Sequence, residues 1–560
     1  MTDFPAVRDG VDADRQPCWR RPAVAALSLL GAYVALSFVM SPDGYLGSDT
    51  GAKVATLDAM VAGDTWQPDL GYWAEDLDPE GRLHPIFDAA PVDDGWVHVT
   101  TLPMLMAGRP LYDVGGYRLT LLLPMAGAIG AAFASRSLAR RMAAGSRAED
   151  AGWTAFWTVG LVSPIAIYAL DFWEHAPGAA CMVGAVAVLA GVVDGSSSPR
   201  WAVVAGALLG IAATMRTEAL VYALVAVGLA GVIVLVRTRR LGASLVVGVG
   251  SVAGFAAPWI LNRVVEQAVG GLDRGGRVSG ATSAGVGELG RRVREAWTTL
   301  FAVRPADGAE SIGLVLAALV AAAVIYQRRG DQRIVRAALV LAAALHVAVL
   351  IGGVDFVPGM LVAAPLAVVG LCSWGAVPGV AARYVYGIAL LALPVVWAFQ
   401  FLGGARPQWG GRYALTSCVL LVGLGAVHVV CSGDRVLRAG VLGLSALVTS
   451  SGVVWLHERS HAVDQYFAEL VERPEDVVVV RNGFFVREGG AAYAERLWLT
   501  AVSDDDLDAA VLVVDASGFD SFAVLDQRSS APSQLGEADL RATSRSTVAG
   551  TDFYLHSYVL

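Results

Sequence analysis

The stretch after the first apolar run reads Ser41-Pro-Asp-Gly-Tyr-Leu-Gly-Ser-Asp49-Thr-Gly-Ala-Lys53, and it puts a carboxylate and an ammonium where a predicted membrane span ends. Lys53 is the only lysine in the chain. Side chains at this spacing share one face of a helix, so Asp49 and Lys53 can act together. A helix start with Ser48 or Asp49 as N-cap and an i,i+4 ion pair explains the same pattern without a function.

Outward from this stretch, apolar runs of about 17–20 residues recur and predict an α-helical polytopic membrane protein with about 13 transmembrane helices. Hydrophobic residues make up 55% of the 560 residues, charged residues make up 16%, and the mean hydropathy is +0.56. A soluble domain carries about a quarter charged residues. The predicted spans are 23–40, 117–135, 152–169, 176–193, 201–215, 218–236, 241–261, 310–326, 335–352, 359–376, 384–402, 413–430 and 439–456.

Arginines cluster in alternate predicted loops, which gives the chain an orientation by the positive-inside rule. Segment 1–22 is predicted to be a cytoplasmic tail, because its residues 1–17 hold four Asp and only two Arg and no small-residue cleavage site follows the apolar run. An odd number of spans then places the C-terminus outside. The arginine-rich segment 262–308 is an exception, since it is assigned outside. The Ala-, Gly-, Val- and Arg-rich composition is typical of a high-GC bacterium, so we expect a bacterial plasma membrane.

Two segments outside the spans are large enough to be folded units. Residues 41–116 form a first external loop with a strong excess of acidic residues, which excludes nucleic acid as a partner. His84 and His98 with these acids could bind a divalent cation, but no metal-ligand spacing recurs and no cofactor is indicated. Residues 23–456 are the transmembrane domain, and 457–560 are predicted to be a small extracytoplasmic α/β domain.

Within the C-terminal domain the pattern predicts strands at 476–480, 509–515 and 551–560 and a helix at 491–501. No glycine-rich phosphate loop follows either of the first two predicted strands, so no nucleotide site is indicated.

The predicted orientation places the remaining unusual polar groups on the outer face. Asp171, Glu174 and His175 join two spans, and ionisable groups at this depth tend to line a cavity, although they could be the wet end of a hairpin. Arg216 interrupts an apolar stretch and needs a partner, either Glu218 or a lipid phosphate.

The densest polar and aromatic cluster of the second half of the chain also falls on this face. Guanidinium groups bind phosphate in a bidentate manner, and the tryptophan could stack on a sugar or lie at the membrane interface. The residues are Arg406, Gln408, Trp409, Arg412 and Tyr413.

These features together resemble the glycosyltransferase C superfamily of polyprenyl-phosphate-dependent enzymes, in particular the protein mannosyltransferase and aminoarabinose transferase class. The resemblance covers about residues 23–456. It implies many spans, a large first external loop and a catalytic acid soon after the first span, which is the position of Asp49. The family's adjacent pair of acids is absent, since Thr50 follows Asp49, so Glu174 could share the task of the base.

The resemblance implies inverting transfer of a sugar from a polyprenyl-phosphate donor to an envelope glycan, lipid or protein acceptor. Asp49 would deprotonate the acceptor hydroxyl, and Arg412, Arg406 or Arg216, with Lys53, would hold the leaving phosphate. Asp171, His175, Gln408, Trp409 and Tyr413 would line the substrate site. The alternatives from other classes are a polytopic transporter or flippase and a non-catalytic protein of envelope assembly. A transporter is expected to place its charges near the midplane of the membrane.

Overall fold

The computed structural model describes residues 17–86, 89–92, 95–98, 101–143, 145–270, 289–304, 309–352, 356–399, 409–530, 533–536, 538–545 and 553–560. Most of these residues are helical. The α-helices are α1 Pro22–Ser37, α2 Ser48–Ala62, α3 Leu102–Thr120, α4 Leu122–Met142, α5 Ala148–Leu161, α6 Pro164–Tyr168, α7 His175–Asp194, α8 Ala202–Met215, α9 Glu218–Thr238, α10 Leu241–Gly270, α11 Leu289–Phe301, α12 Glu310–Arg328, α13 Gln332–Ile351, α14 Met360–Ala363, α15 Pro365–Cys372, α16 Val380–Phe399, α17 Leu415–Cys431, α18 Arg435–Val471 and α19 Asp504–Ala516.

Nine helices in the described part of the chain are long and apolar enough to cross a membrane. The chain is therefore a polytopic membrane protein, while the predicted count of 13 spans stays a prediction. Two of the predicted spans, α1 and α8, are apolar but shorter. Predicted spans 152–169 and 359–376 are each split in two, because Pro164 and Pro365 start new helices and cannot continue the preceding ones.

The C-terminal region is an α/β unit built on a six-stranded sheet, as expected in outline. Its strands are β3 Val477–Val480, β4 Leu497–Thr500, β5 Ser521–Asp526, β6 Gln534–Leu535, β7 Ala538–Arg545 and β8 Tyr554–Val559, in the order β4-β3-β5-β8-β7-β6. Strands β3, β4 and β5 are parallel to one another, and the remaining pairs are antiparallel. Helix α18 runs without a break through the predicted boundary at 456/457, so a helix leads into this unit.

Two of the predicted elements in this unit are wrong. The run at 509–515, predicted as a strand, lies in helix α19, because Ser503 and Asp506 form a capping box that starts a helix. A short continuous apolar run does not distinguish the two states. The predicted helix at 491–501 is a 3-10 turn followed by β4, since pairing with β3 decides the conformation there. The predicted strand at 476–480 is confirmed as β3, and the one at 551–560 is confirmed as β8 over Tyr554–Val559, while residues 551 and 552 lie outside the described part of the chain.

The first external loop packs against the C-terminal unit and forms one structure with it. The loop contributes α2 and a hairpin of β1 Ala89–Val92 and β2 Gly95–His98. Trp73 Nε1 donates to the carbonyl of Trp498 at 2.9 Å, and Arg82 Nε lies 2.5 Å from Asp506 Oδ1. Tyr72 and Trp96 share a hydrophobic cluster with β3 and α19. The loop and the C-terminal unit are therefore positioned together above the same end of the helices.

Candidate active site

Asp49 lies in the first turn of α2, where two arginines hold both of its carboxylate oxygens. Arg412 Nη1 donates to Oδ2 at 3.3 Å, and Arg487 Nη2 donates to Oδ1 at 2.5 Å. Burial alone would raise the pKa of Asp49, but Arg412 and Arg487, with Lys53 nearby, hold this pKa well below its usual range. The positive end of the α2 dipole also favours a carboxylate at this position. Asp49 is therefore ionised at neutral pH.

The helix-cap interpretation of Asp49 and Lys53 is wrong. The N-cap of α2 is Gly47, and no side chain caps the helix. Lys53 is buried, and its Nζ lies 2.5 Å from Glu174 Oε2 instead of pairing with Asp49. The chain therefore places its single lysine inside the cluster and connects α2 with the loop before α7.

Glu174 is the centre of a buried ion-pair network. Its second oxygen, Oε1, accepts from Arg216 Nη1 at 3.0 Å, and Arg216 Nε donates to Glu218 Oε1 at 2.8 Å. The pKa of Glu174 is lowered, because the charges of Lys53 and Arg216 outweigh the desolvation by burial. The predicted pairing of Arg216 with Glu218 is thus confirmed, whereas the pairing of Lys53 and Arg216 with Glu174 was not predicted. Each of these four side chains is nearly inaccessible to solvent.

Asp171 joins α2 and α3 through hydroxyl groups. Thr50 Oγ1 donates to Oδ2 at 2.9 Å, and Tyr117 OH donates to Oδ1 at 2.8 Å. Burial raises the pKa of Asp171 to about 6, although these two hydrogen bonds oppose the shift. Asp171 thus differs from Glu174 in having hydroxyl donors in place of cations.

His175 and Trp173 pack beside this network as an aromatic layer. The His175 ring stacks on Tyr168 at a centroid distance of 4.9 Å and contacts Trp173 at 4.3 Å. Within the described part of the chain, three buried polar atoms here have no hydrogen-bond partner. They are the two ring nitrogens of His175 and the indole N–H of Trp173.

Arg412 reaches Asp49 from a tight turn before α17. Gly410 and Gly411 both have positive φ, +79° and +69°, a conformation that L side chains rarely adopt. The Arg412 and Arg216 guanidinium groups lie 4.8 and 4.9 Å from the centroid of the Tyr413 ring, so both cations contact the same aromatic ring.

Trp409, another predicted site residue, packs away from this cluster. Trp409 is 1% exposed and stacks on Trp455 at 5.5 Å, which does not support stacking on a sugar. Arg406 and Gln408 lie outside the described residues.

Sequence reasoning missed several participants, above all Arg487 from the C-terminal unit. Its contact to Asp49 spans 438 positions, and no local pattern signals it. Thr50 and Tyr117 were also missed. Buried His98 on β2 lies within electrostatic range of Asp49 and Arg487. Among the described residues, no three or more His, Cys, Asp or Glu side chains are grouped so that they could hold a metal ion.

Comparisons with known proteins were made on sequence and on structure. No family model matches the chain, and no curated protein matches it. Among solved structures, ArnT from Cupriavidus metallidurans bound to undecaprenyl phosphate is similar with 12% identity over 95% of this chain and 98% of that chain, at a TM-score of 0.49. The Archaeoglobus fulgidus oligosaccharyltransferase in its apo form is similar with 10% identity over 89% of this chain and 69% of that chain, at a TM-score of 0.44.

A further structure, oligosaccharyltransferase AglB from Archaeoglobus fulgidus in complex with an inhibitory peptide and a dolichol-phosphate, is similar with 11% identity over 89% of this chain and 69% of that chain, at a TM-score of 0.42. The function proposed below rests on the site's own residues.

Proposed function

We propose that the chain is a membrane glycosyltransferase that transfers a sugar from a polyprenyl-phosphate donor to a hydroxyl of an envelope glycan, lipid or protein, with inversion at the anomeric carbon. The observation that carries the proposal is the convergence of Asp49 with Arg412, Arg487 and the network around Glu174 at one end of the helices. This end faces outward if the predicted orientation, with a cytoplasmic N-terminus in a bacterial plasma membrane, is right.

Asp49 is the proposed general base. The two arginines bound to its oxygens keep the basicity of this carboxylate low. The phosphate of the donor competes for Arg412, which leaves Oδ2 of Asp49 for the acceptor hydroxyl. Loss of this cation also raises the pKa of Asp49 towards the range in which a base is effective. The acceptor oxygen attacks the anomeric carbon, the bond to the phosphate oxygen breaks, and Asp49 keeps the proton.

The arrangement of cations suits an anionic leaving group. The ion-pair network contains four cations and three carboxylates: Lys53, Arg216, Arg412 and Arg487 with Asp49, Glu174 and Glu218. Asp171 beside it adds a fourth carboxylate, so the network supplies positioned guanidinium groups and no net excess of positive charge. A sugar phosphodiester carries one negative charge and gains a second as it departs. Fixed guanidinium groups in a water-poor site stabilise this developing charge effectively.

In this proposal Glu174 positions the neighbouring cations and does not accept the proton. Both of its oxygens are engaged by cations that the reaction needs in place. Releasing a proton-accepting oxygen would leave Lys53 or Arg216 buried without a partner, at a cost of several kcal/mol. Asp49 has the more accessible side chain, 29% exposed against 6% for Glu174.

The placement of the charges favours an enzyme over a transporter. Asp49, Asp171, Glu174 and Arg216 lie at helix ends or in the short connections between helices. Transporters place such groups near the midplane, on interrupted helices.

The experiment is a transfer assay on the full chain in proteoliposomes. Radiolabelled polyprenyl-phosphate mannose and polyprenyl-phosphate pentose are supplied as separate donors, with envelope extract as acceptor. The proposal expects labelled product with one donor, release of polyprenyl phosphate in equal amount, and an inverted anomeric configuration by NMR. Movement of intact labelled donor across the bilayer without transfer would support the flippase alternative instead.

A further inference from the structure

The C-terminal unit has a cavity at the carboxyl ends of its three parallel strands. It has a volume of about 390 Å³ and is lined by segment 481–484 after β3, Val502 after β4 and Asp526 at the end of β5. Loops at the carboxyl ends of parallel strands diverge and leave a crevice, which is where ligands bind in open α/β sheets. The candidate active site uses none of these lining residues.

A second cavity of about 250 Å³ continues the first one towards the membrane helices. The two share Asn482, Phe484 and Phe553, and the second is lined on its other side by Tyr466 of α18 and by Glu488. We call the two cavities together the aromatic groove. The groove joins the edge of the sheet to the turn that carries Arg487.

The lining combines aromatic faces with both kinds of hydrogen-bonding group. Phe484 is 52% exposed at the surface of the C-terminal unit. Asn482 accepts the backbone N–H of Phe484 on its side-chain oxygen, so its NH₂ group points away from this bond. The carboxylate of Asp526 accepts from Arg528 at 2.8 Å, and Glu488 pairs with Arg459 at 2.6 Å, so each end of the groove carries a carboxylate and a guanidinium group.

A lining residue of the groove contacts the arginine that binds the proposed base. The Arg487 guanidinium lies 5.4 Å from the centroid of the Phe484 ring, and the same guanidinium donates to Asp49. A chain-like ligand lying in the groove would therefore direct one end towards Asp49.

We propose that the aromatic groove binds the acceptor and that this acceptor is an oligosaccharide. The C–H face of a sugar ring packs on an aromatic side chain, and its hydroxyl groups need donors and acceptors together, which is what the groove supplies. The role of the oligosaccharide as acceptor rests on the proposed function. Binding of an oligosaccharide to the groove does not depend on catalysis.

A peptide acceptor fits the same surface less well. Peptides commonly bind by adding a strand to an open sheet edge. The edge strand beside the groove is β4, and the loop already covers it, because the Thr500 N–H donates to the carbonyl of Leu83 at 2.9 Å. The Thr500 hydroxyl also donates to the carbonyl of Pro85.

The test is direct binding to the full chain in lipid nanodiscs. Mannohexaose and arabinohexaose are titrated by ligand-observed saturation-transfer NMR, and a hexapeptide of Ser, Thr and Gly is titrated in parallel. We expect one hexaose to bind and the peptide not to bind. Phe484→Ala and, independently, Asn482→Ala should weaken this binding at least about tenfold, which is about 1.4 kcal/mol. Leu512→Ala, another exposed apolar residue of the same unit, should change nothing.

Three outcomes would overturn the inference: neither hexaose binds, both variants bind as the unaltered chain does, or the peptide binds and Phe484→Ala abolishes its binding. The transfer assay separates the two proposals. Suppose that the chain transfers no sugar from any donor but still binds a hexaose in a way that depends on Phe484. This result would contradict the proposed function and support the groove as an oligosaccharide-binding site.

Discussion

Arg487 Nη2 lies 2.5 Å from Asp49 Oδ1, although 438 positions separate the two residues in the sequence. Asp49 follows the first membrane helix, and Arg487 belongs to the C-terminal α/β unit. The unit is thus part of the candidate site.

Arg487→Ala should lower kcat/KM for sugar transfer by about tenfold or more. Removal of the guanidinium takes away one of the charges that keep the pKa of Asp49 low, so this pKa rises. The base works only when ionised, and the acid limb of the pH profile of kcat/KM should therefore move to higher pH. Arg541→Ala, at an exposed position of the same unit, serves as the control. An unchanged acid limb with reduced activity would point to a purely structural role.

Gly51→Ala should imitate the loss of Arg487. A Cβ at position 51 would lie 2.2 Å from the carbonyl oxygen of Arg487, which is backbone and cannot move aside alone. The turn that carries Arg487 must then shift away from α2, and transfer activity should fall together with thermal stability. Gly443→Ala is the matched control, because nothing lies within 4 Å of its added Cβ in α18. Full activity of Gly51→Ala would contradict the tight docking of the turn.

Glu174→Gln should destabilise the chain more than Lys53→Met does. The first change leaves Lys53 buried without its carboxylate and weakens the tie to Arg216, and breaking a buried ion pair in this way costs about 3–5 kcal/mol. The second change leaves Glu174 paired with Arg216. Thermal unfolding followed by intrinsic fluorescence gives the order, with Asp505→Asn as an exposed control. Equal losses would show that Glu174 is not the centre of the network.

Asp171 should make the stability depend on pH. Its folded pKa is about 6, above the unfolded value of 3.8, so the folded state binds the proton more tightly between these values. Stability from this group is therefore present at low pH and is lost as pH rises through about 6. As the pH rises from 3.8 to about 6, the melting temperature of the unaltered chain should fall relative to that of Asp171→Asn. If the melting temperatures of the two proteins changed with pH in parallel, the raised pKa of Asp171 would be contradicted.

The sequence was sufficient for the helical, membrane-spanning character of the chain and for part of the site, whereas the count of 13 spans stays a prediction. Long apolar runs and loop arginines are strong local signals. An ionisable group at the boundary of a span costs free energy to bury, so its presence indicates a functional role. Asp49, Lys53, Asp171, Glu174, Arg216 and Arg412 were singled out on these grounds, and the structure brings them together. Their partners were assigned less well. Lys53 pairs with Glu174 because the fold, not helical spacing, decides which charges meet.

Arg487 shows what a single sequence does not contain. Its neighbours are ordinary for a turn, and only the docking of the C-terminal unit on α2 gives the residue a carboxylate partner. The exchange of helix and strand at 509–515 has a similar cause. The apolar run fits either state, and the capping box at Ser503 and the pairing of neighbouring strands decide between them.

The most direct test of the account is sugar transfer by Asp49→Asn. The measurement is the initial rate in proteoliposomes with the polyprenyl-phosphate donor that the unaltered chain uses, together with donor binding in the same preparation. The account predicts a loss of at least about a thousandfold in rate, as for removal of a general base with its partners left in place, while donor binding persists. Asp58→Asn, on the same helix, should keep its activity. Full transfer by Asp49→Asn would contradict the central claim.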